Sequence, residues 1–463
     1  AEAVPSSWNV GIKWLCYSRE LSNPSQRNVL IYGRRRVGKS ELIKQTLKKI
    51  QCTAIYFECT QTSEADNLSN LSRALSDTLG LPPLAFSSFR EIADFLFRQA
   101  ESRDMVLVLD EYPYLRDVVS GLDSILQVLI DTYRETSHLK LILCGSFVDV
   151  MKSLLERENP LYGRIDLAMK LDPMDYYDAG RFFPGFSPED RVRLFSVFGG
   201  IPYYDRLVDS SKSVRDNIID LVTAPGARLE SEVEICLSQE ISKMANANEV
   251  FLALAQGYSR WKDILAQSHV SSGQAMSAVL DKLISMELVQ KQTPINDPES
   301  RRKTAYRIID PLVLFYYRYV FRNASARQIQ DPDYFYSHHI DRDFEENHVP
   351  HLFEEVCRQY LIRQNRTDRM EVPFDAIGRY WYDDPAHHAN GEFDVVTKDP
   401  TGYIFYEAKF RKTPITQGMV DEEVAQVRAA GLPCYRFGFF SRSGFEVAPD
   451  PALILVDLPE LFE

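Results

Sequence analysis

The feature that most constrains this chain is a loop sequence near its amino terminus, Gly33-Arg34-Arg35-Arg36-Val37-Gly38-Lys39-Ser40. It matches the pattern G-x-x-x-x-G-K-[ST] at every fixed position. The glycines let backbone N–H groups curl around a triphosphate, and the helix expected after the loop presents its positive end to the phosphates. Lys39 is expected to reach the β- and γ-phosphates, and the Ser40 hydroxyl to bind Mg²⁺. The loop therefore predicts a site for ATP and Mg²⁺.

The sequence around this loop alternates short apolar runs with helical stretches. The runs expected to be strands are Asn28–Tyr32, Thr53–Phe57, Met105–Leu109 and Leu139–Cys144. Consecutive apolar residues are typical of strands buried on both faces, and strands that alternate with helices form a parallel sheet covered by helices. We therefore predict an α/β P-loop core over residues 28–172, after an N-terminal extension over residues 1–27. We expect the strands of this core to stop after about Arg164.

Two acids end the strand Met105–Leu109 and are the expected partners of the loop. Asp110 is expected to hold Mg²⁺ through water, and Glu111 to polarise the attacking water as a general base. A solvated acid at a strand end is the alternative for Glu111. Ser146, after the strand Leu139–Cys144, is a candidate sensor of the γ-phosphate, with an ordinary turn as the alternative.

Arginines provide further candidates near the phosphates. Arg164, in Pro160–Arg164, is a candidate arginine finger or sensor, and an ordinary exposed arginine is the alternative. Arg34, Arg35 and Arg36 raise the electrostatic potential at the loop, or else they form a solvated charge run.

Two helical regions are expected after the core. Residues 173–245 are aromatic and helical in character and predict a small helical lid. Residues 246–325 suit three helices followed by two strands, with a basic loop Arg301–Lys303 between the strands, which is the outline of a winged helix. The third helix, Ser272–Met286, would be the recognition helix. Its exposed positions are not basic, so a packing module that binds no DNA is an equal alternative.

A hairpin near the carboxyl terminus carries a second set of acids. If its turn is centred between Pro400 and Thr401, Asp394 lies opposite Glu407, and Lys409 shares a face with Glu407. Asp394 and Glu407 offer hard oxygen ligands to Mg²⁺ or Mn²⁺, and Lys409 can steady the attacking water. Glu354, on an earlier helix, is the candidate third metal ligand. A cross-strand salt bridge on a solvated sheet face is the alternative.

Composition limits the classes of partner, cysteine site and cellular location to be considered. The net charge of −13 argues against a general nucleic-acid binder, although a local basic patch can still bind phosphates. The 7 cysteines are scattered without the C-x₂-C spacing of metal or redox sites, which is typical of reduced thiols. No segment approaches the roughly 20 apolar residues of a membrane helix, and Ala1–Ser7 lacks the pattern of a secretory signal. We therefore expect a cytoplasmic protein.

Taken together, these segments resemble the archaeal-type P-loop ATPases, also found in bacteria, which lie within the STAND/AAA+-like group. The residues that carry the resemblance are Tyr32–Ser40, Val106–Tyr112, Gly145-Ser146, Pro160–Arg164, Gly199–Tyr204 and Tyr306–Pro311. A PD-(D/E)XK nuclease-like domain, an α/β fold of the restriction-endonuclease type, often follows in this family. The resemblance implies such a domain over residues 326–463. It maps the acid-D-E-x-K signature onto Glu354, Asp394, Glu407 and Lys409.

One segment departs from that family. The family usually has a Gly-Arg-Glu element ahead of the P-loop, where this chain has Ser18-Arg19-Glu20-Leu21. The preference for ATP over GTP is therefore an expectation from the resemblance alone.

The leading functional hypothesis is an ATP-hydrolysing switch coupled to a metal-dependent DNA nuclease domain. The alternative is a STAND-like regulatory ATPase that binds DNA or a protein partner without cutting nucleic acid. A plain ATPase that acts on protein is a third reading. A homo-oligomer is required if Arg164 acts on the nucleotide of a second copy.

Overall fold

A computed structural model of the chain describes residues 19–23, 25, 27–50, 52–234, 246–300, 302–384, 389–429 and 431–463. The chain divides after Pro173 into two compact units. Ser18 and Arg301, which the sequence singled out, lie outside the described residues. In the described part of the chain, no helix combines the length and the apolar character that crossing a membrane requires.

The first unit is built on a sheet whose strands are all parallel. Its strands are β1 (Asn28–Tyr32), β2 (Thr53–Glu58), β3 (Met105–Asp110), β4 (Leu139–Gly145) and β5 (Leu167–Lys170). They lie in the order β2-β3-β4-β1-β5. The strand β3 is buried at every position, as its unbroken apolar sequence predicts. An α/β fold with a parallel central sheet is therefore confirmed.

The expectation that the strands of this core stop after about Arg164 was wrong. The strand β5 pairs with β1, with Val29 opposite Leu167. It covers only Leu167–Lys170 and has just one buried side chain, that of Met169. Its sequence, Leu167-Ala168-Met169-Lys170, has no β-branched or aromatic residue, so it carries a weaker strand signal than the other four strands.

Helices connect the strands of the first unit. They are α1 (Lys39–Leu47), α2 (Glu64–Leu79), α3 (Phe89–Gln99), α4 (Tyr112–Val118), α5 (Leu122–Thr132) and α6 (Val148–Ser153). Serine side chains cap α2 and α3, because Ser63 accepts from the N–H of Asp66 and Ser88 from that of Glu91. The apolar faces of both helices bury Leu71, Leu75 and Ile92 in one core with β3.

The second unit begins with short helices. They are α7 (Tyr176–Gly180), α8 (Pro188–Phe198), α9 (Pro202–Asp205) and α10 (Val214–Ile218), the last prolonged by a π-helical turn, Ile219–Thr223. Next come α11 (Ala247–Ala255), α12 (Trp261–Gln267) and α13 (Gly273–Ser285), then the antiparallel strands β6 (Val289–Gln292) and β7 (Ala305–Ile308). These last five elements lie where the sequence placed three helices and two strands.

A second group of helices leads to the carboxyl-terminal sheet. It comprises α14 (Pro311–Phe315), α15 (Ala324–Ile329), α16 (Pro332–His339), α17 (Asp341–Asp343) and α18 (Val349–Arg366). A π-helical turn, Tyr316–Val320, and a 3₁₀ turn, Phe321–Asn323, follow α14. A further π-helical turn, Phe344–His348, joins α17 to α18.

The carboxyl-terminal sheet consists of β8 (Ala376–Asp384), β9 (Ala389–Lys398), β10 (Tyr403–Lys409), β12 (Cys434–Ser441) and β14 (Leu453–Asp457). These strands lie in the order β14-β12-β10-β9-β8. The strands β8, β9 and β10 are antiparallel neighbours, whereas β12 runs parallel to β10 and to β14. The short strands β11 (Ile415–Thr416) and β13 (Phe445–Glu446) form a separate parallel pair.

Helices cover both faces of this sheet. The helix α19 (Gln417–Ala429) packs Val420 and Val427 against the side of the sheet that presents Phe439. The helix α18 places Tyr360 against the adjacent residue Phe440, with ring centroids 5.8 Å apart. Because neighbouring residues of a strand point to opposite faces, α18 and α19 lie on opposite sides of the sheet.

The loop between β6 and β7 covers the outer edge of β8. The N–H of Ile295 donates to the carbonyl of Arg379 at 2.7 Å. The Asn296 side chain donates to the carbonyl of Trp381 at 2.7 Å and accepts from its N–H at 3.1 Å. This loop is the predicted basic wing, and Lys303 within it is ion-paired with Asp297 at 3.3 Å. Lys303 is therefore engaged within its own loop.

Candidate functional site

The loop Gly33–Ser40 is bent tightly at the carboxyl end of β1. A Cβ atom at Gly33 would lie 2.1 Å from the carbonyl oxygen of Leu171, so only glycine fits there. Gly38 and Arg36 have φ values of 98° and 67°, in the left-handed region. These turns curl the loop before α1 begins at Lys39, as a phosphate-binding loop requires.

Lys39 is directed into this loop. Its side chain is buried, and Nζ donates to the carbonyls of Gly33 at 2.8 Å and Arg34 at 2.9 Å. The arginines of the loop, Arg34, Arg35 and Arg36, are partly buried, and each has an interaction partner. The role of these arginines at the phosphates stays a prediction.

Ser40 and Asp110 come together as the sequence predicts. The Ser40 hydroxyl donates to Oδ2 of Asp110 at 2.6 Å, although the two residues are 70 positions apart. Asp110 is 3% exposed, and its Oδ1 accepts from the N–H of Glu111 at 3.0 Å. A hydroxyl and a carboxylate held together in this way are the hard oxygen donors that suit Mg²⁺.

Tyr56 on β2 belongs to the same cluster and was not predicted. Its hydroxyl donates to Oδ2 of Asp110, the oxygen that also accepts from Ser40. Burial, reinforced by the negative charge of Asp110, holds the pKa of Tyr56 well above its usual value. One sequence signal could have identified Tyr56: it places a polar hydroxyl in the apolar middle of the strand β2, which neighbours β3.

Glu111 and Ser146 also meet. Glu111 has a φ of 52° and lies at the start of α4. Its carboxylate accepts from the Ser146 hydroxyl, at 2.8 Å for Oε1 and 2.7 Å for Oε2, and from the Ser146 N–H at 3.2 Å. The candidate general base and the candidate sensor are thus one hydrogen-bonded pair, and Glu111 is not simply a solvated acid.

Arg164 lies elsewhere, and its role as a finger or sensor within the same chain is corrected. It binds Asp131 through Nε at 2.9 Å and Nη2 at 2.7 Å. Two residues later, the N–H of Asp166 donates to the carbonyl of Asn28, at the amino end of β1. The P-loop follows the carboxyl end of β1, roughly 15 Å away along the strand. Contact with a nucleotide in the same chain is therefore excluded, and a role in trans stays a prediction.

A second group of charged side chains lies on the carboxyl-terminal sheet. The strands β9 and β10 pair from Lys398 opposite Tyr403 to Val395 opposite Tyr406, which is the predicted register, and Asp394 and Glu407 lie one residue beyond the last pair. Burial, reinforced by the negative charge of Glu354, raises the pKa of Asp394.

Basic side chains lie beside each of these acids. Arg379 binds Asp394 at 3.1 Å and Glu392 at 3.2 Å. Lys409 contacts Glu407 directly and lies 3.9 Å from Glu423 on α19. His351 lies 3.5 Å from Glu354. Arg379 and Glu423 were missed by the sequence reasoning, because they come from elements outside the hairpin.

The three predicted ligands do not form a ready-made metal site. In the described parts of the chain, no group of three or more His, Cys, Asp or Glu side chains is placed to hold a metal ion. Arg379 binds Asp394, Lys409 binds Glu407 and the His351 ring lies beside Glu354. The role of these three carboxylates as metal ligands therefore stays a prediction.

Two protein families match parts of this chain. Residues 18–206 match the profile of a family described as an ATPase domain predominantly from Archaea. Residues 316–424 match a family described as archaeal and bacterial proteins of unknown function. The first match covers the P-loop, Asp110, Glu111 and Ser146. The second covers Glu354, Asp394, Glu407 and Lys409.

Individual relatives extend these matches over more of the chain. An uncharacterised protein of Methanocaldococcus jannaschii is 27% identical over 389 residues, which cover 83% of this chain and 82% of that protein. A Walker-type ATPase of Pyrococcus abyssi is 22% identical, with a TM-score of 0.46, over 66% of this chain and 94% of its own. The ORC2 protein of Aeropyrum pernix, in ADPNP–ADP complexes, is 15% identical, with a TM-score of 0.43, over 70% and 96% of the respective chains.

Proposed function

We propose that this chain, which carries a P-loop ATPase domain, is an ATP-driven switch that controls a metal-dependent DNA nuclease site in its second unit. The observation that supports the nuclease proposal is the pairing of β9 with β10, whose last pair, Val395 and Tyr406, lies one residue from Asp394 and Glu407. Lys409 bonds to Glu407, and Glu354 acts on Asp394. These are the residues onto which the acid-D-E-x-K signature maps.

In the first unit, each residue has a separate task. Lys39 binds the β- and γ-phosphates, and Ser40 with Asp110 holds Mg²⁺. When bound, Mg²⁺ neutralises charge that develops on the phosphates. Glu111, fixed by Ser146, accepts the proton of the attacking water.

In the second unit, the carboxylates of Asp394, Glu407 and Glu354 are hard oxygen donors that suit Mg²⁺ or Mn²⁺. A bound metal supplies Lewis-acid activation of the scissile phosphate. Lys409 donates to the oxygen atoms around the reacting phosphorus. Arg379 holds Asp394 until a metal or a substrate phosphate competes for one of the two partners.

A regulatory ATPase that cuts no nucleic acid is the second candidate. Two observations favour it: Asp394 and Glu407 are ion-paired with Arg379 and Lys409, and the chain carries a net charge of −13. In that case, the carboxyl-terminal domain binds DNA or a protein partner through its surface.

DNA cleavage separates the two candidates. Plasmid and linear DNA are incubated with the protein in Mg²⁺ or Mn²⁺, with and without ATP, beside Asp394→Asn. We expect Asp394→Asn to reduce cleavage by about 100-fold or more, since it removes a metal ligand, and to leave ATP hydrolysis intact.

The matched control is Asp421→Asn, which changes an exposed carboxylate on α19 and is expected to cleave normally. ATP hydrolysis without any cleavage by the unchanged protein would contradict the nuclease and favour the regulatory ATPase.

A further inference from the structure

We propose that Tyr56 is a positioning residue for magnesium binding in the nucleotide site. Its hydroxyl fixes the Asp110 carboxylate so that this carboxylate can accept the hydrogen bond that the Ser40 hydroxyl donates. The inference rests on the magnesium role of Ser40 and Asp110 proposed above. It adds a third residue, from a different strand, to that role.

The strand pairing brings Tyr56 to Asp110. Tyr56 lies opposite Val108 on the neighbouring strand β3, and Asp110 is two residues further along β3. The tyrosine side chain spans this offset, and its hydroxyl donates to Oδ2 of Asp110. The same oxygen accepts from Ser40 at 2.6 Å.

Donors on both oxygens prevent the carboxylate from rotating. Oδ1 of Asp110 accepts from the N–H of Glu111 at 3.0 Å, and Oδ2 accepts from Tyr56 and Ser40. Glu111 contributes a backbone donor that no side-chain substitution removes. Tyr56 is therefore, together with Ser40 and the Cys144 thiol, a side chain that fixes the orientation of this carboxylate.

The ring of Tyr56 is itself held in place. The Nζ atom of Lys44, one helical turn after Ser40, lies 4.7 Å from the centroid of the Tyr56 ring. This contact fixes the ring whose hydroxyl donates to Asp110.

This arrangement decides whether the Ser40 hydroxyl presents its lone pair or its proton to a metal. A serine hydroxyl can offer its lone pair to Mg²⁺ only when its proton is directed to another acceptor. Asp110 is that acceptor, and Tyr56 keeps it aligned. Tyr56 touches neither nucleotide nor metal in this scheme, so its loss should weaken the response to Mg²⁺ and leave nucleotide binding without Mg²⁺ unchanged.

The test is Tyr56→Phe, which keeps the ring and removes the hydroxyl. Binding of ATP with a fluorescent ribose label is measured in excess EDTA and during a Mg²⁺ titration, and ATP hydrolysis is measured against Mg²⁺ concentration. We expect the affinity in EDTA to change by less than about twofold. The Mg²⁺ concentration for half-maximal response should rise about tenfold, the effect of losing one buried hydrogen bond to a charged group.

Tyr133→Phe is the matched control. The Tyr133 hydroxyl also donates to an aspartate, Asp94, at 2.7 Å in the same unit, but neither residue belongs to the nucleotide cluster. This variant should keep the Mg²⁺ response of the unchanged protein. A shift of similar size in Tyr133→Phe would overturn the specific role of Tyr56.

A double-mutant cycle tests the route through Ser40. If Tyr56 acts by aligning the acceptor of the Ser40 proton, Tyr56→Phe should have little further effect on the Mg²⁺ response of Ser40→Ala. Independent, additive effects would overturn the inference, as would an unchanged Mg²⁺ response in Tyr56→Phe alone. If the unchanged protein responded equally with and without Mg²⁺, the magnesium role of Ser40 and Asp110 would fail as well.

Discussion

At the scale of single residues, the contact between Glu111 and Ser146 connects two strand ends. Glu111 follows β3 and Ser146 follows β4, and both carboxylate oxygens of Glu111 accept from the Ser146 hydroxyl. The left-handed turn at Glu111, with a φ of 52°, points the side chain along this edge of the sheet. A γ-phosphate that competes for the Ser146 hydroxyl would release the carboxylate to accept a proton from water.

Glu111→Gln tests this assignment. The amide keeps the shape and the contact with Ser146 but cannot accept a proton, so we expect ATP hydrolysis to fall by about 100-fold or more with ATP binding retained. Single-turnover hydrolysis and equilibrium binding of ATP measure the two effects separately. Glu135→Gln, at an exposed carboxylate in the same unit, is the control. Hydrolysis at the unchanged rate would place the general base elsewhere.

Several residues of the nucleotide site could be predicted because they belong to short segments of fixed geometry. The P-loop pattern specifies Lys39 and Ser40, and a strand that ends in acids specifies Asp110. Tyr56 could not be predicted in this way. Its contact with Asp110 depends on the offset between β2 and β3, which joins residues far apart in the sequence.

At the scale of elements, the carboxyl-terminal hairpin also shows that contacts within a short segment can be predicted from the sequence and contacts with a distant strand cannot. The turn between β9 and β10 is short, so the position of Pro400 and Thr401 was enough to predict the register in which Val395 lies opposite Tyr406. Arg379 arrives from β8, whose pairing with β9 shifts between Gly378 and Tyr380. Such an irregularity has no clear sequence signal, and the partner of Asp394 was missed for that reason.

The π-helical turn Phe344–His348 leads to a pH prediction. The His348 ring is buried, and its Nε2 pairs with the carbonyl of Ser196 on α8 at 2.9 Å. Burial lowers the pKa of His348 to about 3. The unfolded chain, with a pKa near 6.5, therefore binds a proton that the fold excludes at any pH between these values. Stability that His348 provides above about pH 6.5 should be lost as the pH falls, by ~1.4 kcal/mol per pH unit.

His348→Gln checks this prediction, because glutamine does not titrate. Urea unfolding of both proteins at several pH values between about 7 and 4 gives the difference in the free energy of unfolding, from which shared titrating groups cancel. The free energy of unfolding of the wild-type protein minus that of His348→Gln should decrease as the pH falls. A difference that stays constant with pH would mean that His348 is not held neutral by its surroundings.

At the scale of the whole molecule, the position of Arg164 bears on assembly. The guanidinium binds Asp131 through two hydrogen bonds at the amino edge of the first sheet. A bidentate pair of this kind already satisfies the arginine. The position of Arg164 therefore gives no support to an oligomer required for hydrolysis.

Arg164→Ala is accordingly expected to hydrolyse ATP within about threefold of the unchanged rate, since no interaction with the nucleotide is removed. Hydrolysis per chain should also be independent of protein concentration. Mixing Arg164→Ala with Lys39→Ala gives the decisive comparison. If both variants were inactive alone and active together, Arg164 would act on the nucleotide of a second copy.

Three predictions concern the whole chain: the state of the cysteines, the cellular location and the domain boundaries. In the described part of the chain, Cys52, Cys59, Cys144, Cys357 and Cys434 are free thiols, as their scattered positions suggested. The cytoplasmic location stays a prediction. The domain boundaries within the second unit do too, because helices and turns run on from α14 to α18 without a long linker.

The loop that lies along β8 has a consequence for how the carboxyl-terminal domain can be isolated. A fragment that starts at residue 326 would lose Ile295 and Asn296 and would expose the backbone of Arg379 and Trp381. An uncovered outer strand recruits the same strand of another molecule, so such a fragment should aggregate. A fragment intended for crystallisation or for activity assays should instead begin near residue 246, so that the protecting loop stays attached.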